Sequence, residues 1–338
     1  MNSQRDLPNL IGEDDAFLAA VEQASAAAAL DRPVLVIGER GTGKELIAAR
    51  VHFLSPRWSE DYLALNCAAL SDELLETELF GHTAGAFTGA VKARIGRFEM
   101  AHGGSLFLDE LASMSLRLQE KLLRVIEYGE FERVGSSQTQ RVNVRLIAAA
   151  NVDLPAAAAA GRFRADLLDR LSFEVITLPP LRARPGDIEV LARHFAEAMC
   201  RELGREHFPG FSRRAMQTLS SHDWPGNVRE LRNVVERAVY RQGDDGGLVD
   251  HIVIDPFASP FRPAAQLGSQ QSTQDGQPGL PASGIPADFS AHVAAVEVQI
   301  LDTALKAHQY HQRNTAQALG LSYDQLRHLL KKHGIGRS

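Results

Sequence analysis

Gly38, Glu39, Arg40, Gly41, Thr42, Gly43, Lys44 and Glu45 stand between a short apolar run, Val34–Ile37, and a helical stretch over 46–53. The glycines free the backbone so that successive N–H groups can converge on phosphate oxygens. The helix that follows adds positive potential at its N-terminus. Lys44 is then placed to reach the β- and γ-phosphates of ATP, the chemistry of a P-loop in its strand–loop–helix setting. An ordinary glycine turn is the alternative, and this context disfavours it. One position departs from the generic pattern: the Ser or Thr that usually touches Mg2+ is replaced by Glu45. A second apolar run over 103–108 ends in two acids, Asp109 and Glu110. An aspartate there can hold Mg2+, directly or through water, and the next glutamate can polarise a water for attack on the γ-phosphate. Alone, the pair is equally a solvated strand end; after a P-loop it reads as hydrolytic machinery.

These residues need elements to hold them. Apolar runs at 34–37, 106–108, 144–148 and 175–176 alternate with longer helical stretches, the pattern of an α/β domain with a parallel sheet between helices. It is assigned to residues 1–178. From 187 to 242 the chain is helical throughout, broken at Pro209-Gly210 and Pro225-Gly226, and reads as a small helical lid within 179–255. Composition then shifts to Pro, Gly, Ser, Gln and Ala over 256–290, a flexible linker whose typical span is roughly 30 Å. Residues 291–338 are helical again.

The 338 residues are 44% hydrophobic and 23% charged, which fits a globular chain of two or three domains and offers no membrane span. The polar start carries no signal pattern, so the cytoplasm is the expected location. Cys67 and Cys200 form no metal cluster and read as buried apolar residues. A net charge of −6 argues against nucleic acid along the whole length, but residues 303–338 carry six Lys or Arg against the single acid Asp324. There a short alanine-rich helix ends at Gly320, Ser322 can cap a second helix, and Leu326, Leu329 and Leu330 face inward. That is helix-turn-helix grammar. Tyr323, Gln325, Arg327 and His328 are left to face a DNA groove, with Lys331 and Lys332 placed for phosphates. A dimerising hairpin with a solvated basic face is the alternative.

Gly85, Ala86, Phe87, Thr88, Gly89 and Ala90, preceded by Glu78-Leu79-Phe80-Gly81, form a loop with small residues at both ends and Phe87 and Thr88 at its tip. On this hexapeptide and the P-loop variant ending in Glu45, the chain resembles the sigma-54-dependent transcription activators, a branch of the AAA+ ATPases, and within them the phage-shock type. The resemblance spans about 8–335. It implies an AAA+ core with a helical lid and a C-terminal Fis-type helix-turn-helix, and ATP hydrolysis with Mg2+ at Asp109. It implies a homo-oligomeric ring, a hexamer when active, that uses the 85–90 loop on sigma-54 RNA polymerase while the tail binds enhancer DNA. Residue by residue, Asn66 corresponds to the asparagine that holds the catalytic Glu110 aside. Arg164 and Arg170 correspond to the arginines that reach a neighbour's γ-phosphate; pairing with Asp166 and Asp169 is their alternative. Arg229 corresponds to the lid arginine that senses nucleotide. Ala150 stands where the family commonly has Thr in its first sensor, with Asn151 retained. An inhibitory protein of the phage-shock type is implied as a regulator, and Trp58, in a polar segment, is a candidate contact.

Overall fold

The computed structural model describes residues 7, 9–242, 247–258, 261, 289–308 and 310–334. The chain divides into two compact units, Met1–Arg262 and Pro263–Ser338. The first unit opens with helix α1 (Asp15–Ala28), capped by the Asp14 side chain. Then follow β1 (Val34–Ile37), α2 (Lys44–Phe53), β2 (Tyr62–Asn66), α3 (Asp72–Phe80), α4 (Arg97–Met100), β3 (Ser105–Asp109) and α5 (Leu116–Tyr128). A hairpin, β4 (Glu130–Glu132) and β5 (Thr139–Arg141), precedes β6 (Arg145–Ala150), α6 (Leu154–Ala159), α7 (Ala165–Leu171) and β7 (Val175–Thr177).

Five of these strands form one all-parallel sheet in the order β2-β3-β6-β1-β7. Its inner strands are apolar on both faces because helices cover both. Leu35, Leu106, Leu108, Leu146 and Ala148 pack against α3, α5 and α7 on one side. Val34, Val36, Phe107, Ile147 and Ala149 pack against α1 and α2 on the other. Strand alternation alone sorts them. On α5, Leu118, Leu122 and Val125 recur at helical spacing and are buried, and Gly129 ends the helix at φ 65. Each such leucine contributes about 1.5–3 kcal/mol by leaving water.

The lid is α8 (Gly186–Glu202), α9 (Arg213–Ser221) and α10 (Asn227–Arg241), built on a core of Leu191, Ala196, Leu219, Trp224, Leu231 and Val235. Trp224 is fully buried, and its indole N–H donates to the Leu219 carbonyl at 2.9 Å. The second unit contains α11 (Phe289–Ala307), α12 (Gln312–Ala318) and α13 (Tyr323–Lys332), closed over Leu301, Leu305, Ala316, Leu326 and Leu330. Most of the 256–290 segment, including the expected linker, lies outside the described residues.

The continuous apolar runs of β1, β3, β6 and β7 are the strands legible in the sequence. The sheet also contains β2, an edge strand with half-exposed side chains, and the hairpin of polar β4 and β5 stands apart from it. The hairpin has no apolar run to announce it; β2 has one, Tyr62–Leu65, and its half-exposed side chains mark it as an edge. Cys67 and Cys200 are both buried and unpaired.

Candidate nucleotide site and partner loop

The phosphate loop joins β1 to α2 at the carboxyl edge of the sheet. Gly41 and Gly43 take φ of 79 and 99, values that L side chains rarely adopt. At Gly41 a side chain is also excluded by space: a Cβ there would lie 2.3 Å from the Gly226 carbonyl oxygen of the lid. Lys44 is nearly buried at the first turn of α2, its Nζ donating to the Gly38 and Glu39 carbonyls at 2.9 and 3.0 Å. Burial pulls its ammonium below the ordinary range, while the Asp109 and Glu110 carboxylates pull the other way and Arg229 and Arg40 add to the depression. Glu45 sits in the first turn of α2, where its charge suits the helix dipole. The Thr42 hydroxyl closes the loop on Glu39 O at 2.8 Å. Gly38 N–H donates to the carbonyl of Ala150 at 3.2 Å, so the end of β6 supports the loop through its backbone.

The lid is bonded directly to this loop. Val228 N–H donates to Gly41 O at 3.0 Å. Arg182 grips the Glu39 carboxylate through both Nη atoms at 2.8 and 2.5 Å, and Asn227 Nδ2 adds a third donor at 3.1 Å. These partners, Arg182 foremost, hold the Glu39 carboxyl down to about 2. Arg229 lines a cavity of about 300 Å³ together with Arg40, Glu230 and Arg237.

At the end of β3, Asp109 and Glu110 flank the loop. Glu110 adopts a left-handed backbone, φ 51 and ψ 44, which costs a non-glycine residue on the order of 1 kcal/mol. That turn separates its side chain from that of Asp109. Asn66 does not meet Glu110: its Nδ2 lies 3.5 Å from Asp109 Oδ2, and its Oδ1 accepts from Ala68 N–H at 2.9 Å as the cap of a short helical turn. The cause is register. Asn66 and Asp109 are paired positions of parallel β2 and β3, so their side chains share a face. Glu110 is held instead by Arg40, Nη2 to Oε2 at 3.4 Å.

Arg164 and Arg170 stand on α7 and its N-cap, facing α5. Arg164 pairs with Asp166 at 2.7 Å and approaches Glu120 at 3.5 Å. Arg170 pairs with Glu127 at 2.7 Å rather than with Asp169. Arg170, 61% exposed, lines an open cavity of about 430 Å³ with Arg32, Tyr128 and Phe173.

Sequence reasoning missed one part of the site. A slot of about 190 Å³ opens between Leu10 and Ile11 of the N-terminal strap, Thr42 to Leu46, and Leu191, Phe195 and Val228 of the lid. Its lining is mostly apolar and includes Thr42 and Gly43 of the phosphate loop, which suits a nucleotide base. Arg184 sits at its wall, fully buried, 4.7 Å over the Phe17 ring and paired with Asp187. Asp187 Oδ1 in turn accepts the Glu13 and Asp14 amides and ties down the strap. Four separate segments make this slot, so no single motif signals it.

The loop of Gly85, Ala86, Phe87, Thr88, Gly89 and Ala90 stands away from the sheet. Gly85 N–H donates to Ala90 O at 2.8 Å and closes its neck. Phe87 is 47% exposed and Val91 84%, so the tip presents apolar surface instead of contributing to the core. The Phe87 ring makes an edge contact with His82, 5.1 Å between centroids. The base of the loop is fixed. His82 bridges to both Arg94 and Val134, and Glu78 of α3 holds Arg94 and Arg97. Trp58 is 58% exposed beside Arg57, which is pinned by Asp31, Asn143 and two carbonyls, so the indole projects from a fixed turn.

In the second unit, Ser322 caps α13 reciprocally with Gln325. The Gln325 side chain is thus engaged in the cap, accepting from Ser322 N–H at 2.8 Å. Tyr323 OH donates to Gln312 at 3.4 Å, and Lys332 pairs with Glu297 of α11 at 2.8 Å. Arg327, His328 and Lys331 are exposed on α13.

A family profile described as Sigma-54 interaction domain matches residues 10–177, and one described as AAA+ ATPase lid domain matches 182–256. The chain is 55% identical to the Psp operon transcriptional activator of Escherichia coli (strain K12), covering 97% of this chain and 98% of that protein. It is 42% identical to the C4-dicarboxylate transport transcriptional regulatory protein DctD of Pseudomonas aeruginosa, covering 96% of this chain and 64% of that protein. Among solved structures, NtrX from Brucella abortus in complex with ATP matches with a TM-score of 0.67 and 30% identity, over 97% of this chain and 70% of that one. The NtrX complex with ADP matches equally, at 0.67 and 30% over 98% and 70%. Fold, phosphate loop, exposed partner loop and these relatives together make the chain a member of the sigma-54-dependent transcription activators, built on an AAA+ domain.

Proposed function

We propose that this activator hydrolyses ATP between the subunits of a hexameric homo-oligomer, in the cytoplasm, and uses the cycle to open the promoter complex of sigma-54 RNA polymerase. The observation that carries the reading is one path through the chain. Asn66, against Asp109, leads through α3 to the neck of the loop that exposes Phe87. A change at the γ-phosphate thus has a short, rigid route to an apolar tip shaped for a protein partner.

ATP lies with its base in the Ile11–Phe195 slot and its phosphates on the loop of Gly38, Glu39, Arg40, Gly41, Thr42, Gly43, Lys44 and Glu45. Lys44 transfers from the Gly38 and Glu39 carbonyls to phosphate oxygens. Glu110 leaves Arg40 and orients the attacking water. Arg164 and Arg170 exchange their carboxylate partners for the neighbour's γ-phosphate, which makes hydrolysis depend on assembly. Arg229 follows the nucleotide from the lid. The donor set fits Mg2+ accompanying the nucleotide: one or two carboxylates suffice beside phosphate oxygens, and Asp109 is at the strand end. When bound, the ion neutralises charge developing on the β- and γ-phosphate oxygens.

The C-terminal helix-turn-helix binds enhancer DNA, with Tyr323, Arg327 and His328 toward bases and Lys331 and Lys332 toward phosphates. The likeness to the Psp operon activator supports phage-shock-type stress genes as targets. It also supports an inhibitory protein of that type as regulator, with Trp58 as a contact. The test is in vitro transcription from a sigma-54 promoter with hydrolysable ATP. Thr88→Ala is expected to keep ATP turnover and DNA binding but lose open-complex formation. Retained activation removes the 85–90 loop from the mechanism.

A further inference from the structure

Asn227, the first residue of α10, is fully buried and joins three segments through one side chain. Its Oδ1 accepts from Leu181 N–H, at the hinge between sheet and lid, at 2.7 Å. Its Nδ2 donates to the Glu39 carboxylate at 3.1 Å and to the Arg40 carbonyl at 3.0 Å, both in the phosphate loop. It does so from a left-handed backbone, φ 53, where asparagine is among the few side chains tolerated. The preceding Gly226 and the following Val228 both touch Gly41. Arg229 is two residues on, in the same helical turn, with its Cβ 3.1 Å from where a Cβ on Gly41 would lie. A buried amide with this many partners fixes both the azimuth and the height of the first turn of α10 on the loop.

We infer that Asn227 is a positioning residue for nucleotide binding: it sets where Arg229 meets the phosphates by locking the start of α10 onto Glu39 and Arg40. This rests on the assignment of Arg229 to nucleotide made above. Arg229 lines one cavity with Arg40 of the phosphate loop, so its side chain reaches that loop from the lid. Asn227 itself touches no phosphate. Its effect passes through Arg229, so the two cannot act independently.

The experiment is a double-mutant cycle on the full chain, read by equilibrium binding of a fluorescent ATP analogue and by KM and kcat for ATP. Asn227→Gly keeps the left-handed backbone without strain and removes only the side chain. It is expected to weaken nucleotide binding about tenfold, the scale of hydrogen bonds to charged groups. Arg229→Ala is expected to weaken it at least as much, and the double variant no more than Arg229→Ala alone. A structural role would instead lower the melting midpoint and leave the two losses additive. Additive losses, or unchanged binding in Asn227→Gly while Arg229→Ala is impaired, overturn the inference alone. Unchanged binding in Arg229→Ala overturns the assignment of Arg229, and this inference with it. Asn227→Asp tolerates the same backbone and keeps the acceptor for Leu181 but sets a carboxylate against Glu39. It is expected to lose at least as much as the glycine variant and serves in its place where that variant folds poorly.

Discussion

Asn66 and Asp109 are register partners on adjacent parallel strands, and their side chains meet at 3.5 Å where the sheet faces the phosphate loop. The same asparagine caps the turn that starts the path to the partner loop. Asn66→Ala therefore removes a cap worth about 1 kcal/mol and is expected to lower the melting midpoint by roughly 2–4 °C. Asn66→Ser keeps a capping oxygen without setting a second carboxylate against Asp109, and is expected to recover most of that loss. Calorimetry on both variants decides; equal losses would show that the cap is not what Asn66 contributes.

His52 is buried under β3, its Nδ1 2.9 Å from Ser105 Oγ. Burial, helped by the Arg145 charge, brings its pKa from 6.5 down to about 4. The folded protein thus keeps His52 neutral while the unfolded chain takes up a proton near 6.5. Acidification from 6.5 toward 4 favours the unfolded state, by up to about 3 kcal/mol. Denaturant titrations across that window are expected to lose stability as pH falls, and His52→Gln to flatten the loss. An identical slope in the variant would assign the acid sensitivity elsewhere.

Lys44→Ala and Arg170→Ala should each abolish ATP turnover in isolation. If the arginine acts on the neighbour's nucleotide, mixing the two variants rebuilds intact interfaces, with the phosphate loop from one subunit and Arg170 from the next. Steady-state turnover of the mixture is then expected to exceed that of either protein alone. A mixture as inactive as its components would place Arg170 in its own subunit's site.

The salt dependence of DNA binding separates two neighbouring lysines. Lys331 is exposed on α13 and Lys332 is paired with Glu297 at 2.8 Å. Lys331→Ala is expected to lower the slope of log affinity against log salt by roughly 0.9. Lys332→Ala should lower it by less, because its charge is already neutralised in the free protein. The reverse order would mean that α11 releases Lys332 on binding.

What the sequence made legible follows from how each feature is encoded. The phosphate loop, the Asp109-Glu110 strand end and the 85–90 loop are contiguous, so residue types at fixed spacing announce them. The inner strands are apolar on both faces and read as runs, whereas the hairpin strands β4 and β5 are mostly polar and leave none. Asn66 and Asp109 share a face through the register of β2 and β3, which residue spacing in the sequence does not encode. The base slot needs the strap, the loop and two lid helices at once, and Asn227 carries its meaning in a positive φ that no spacing encodes.

One backbone hydrogen bond, from Val228 to Gly41, has a consequence for how this molecule breathes. The amide of a lid residue is sheltered by a carbonyl of the triphosphate cradle, so neither part can loosen without baring that proton to solvent. Deuterium uptake at this one amide is then a gauge of the cohesion of the two subdomains, and occupancy by nucleotide is felt there as slowed exchange.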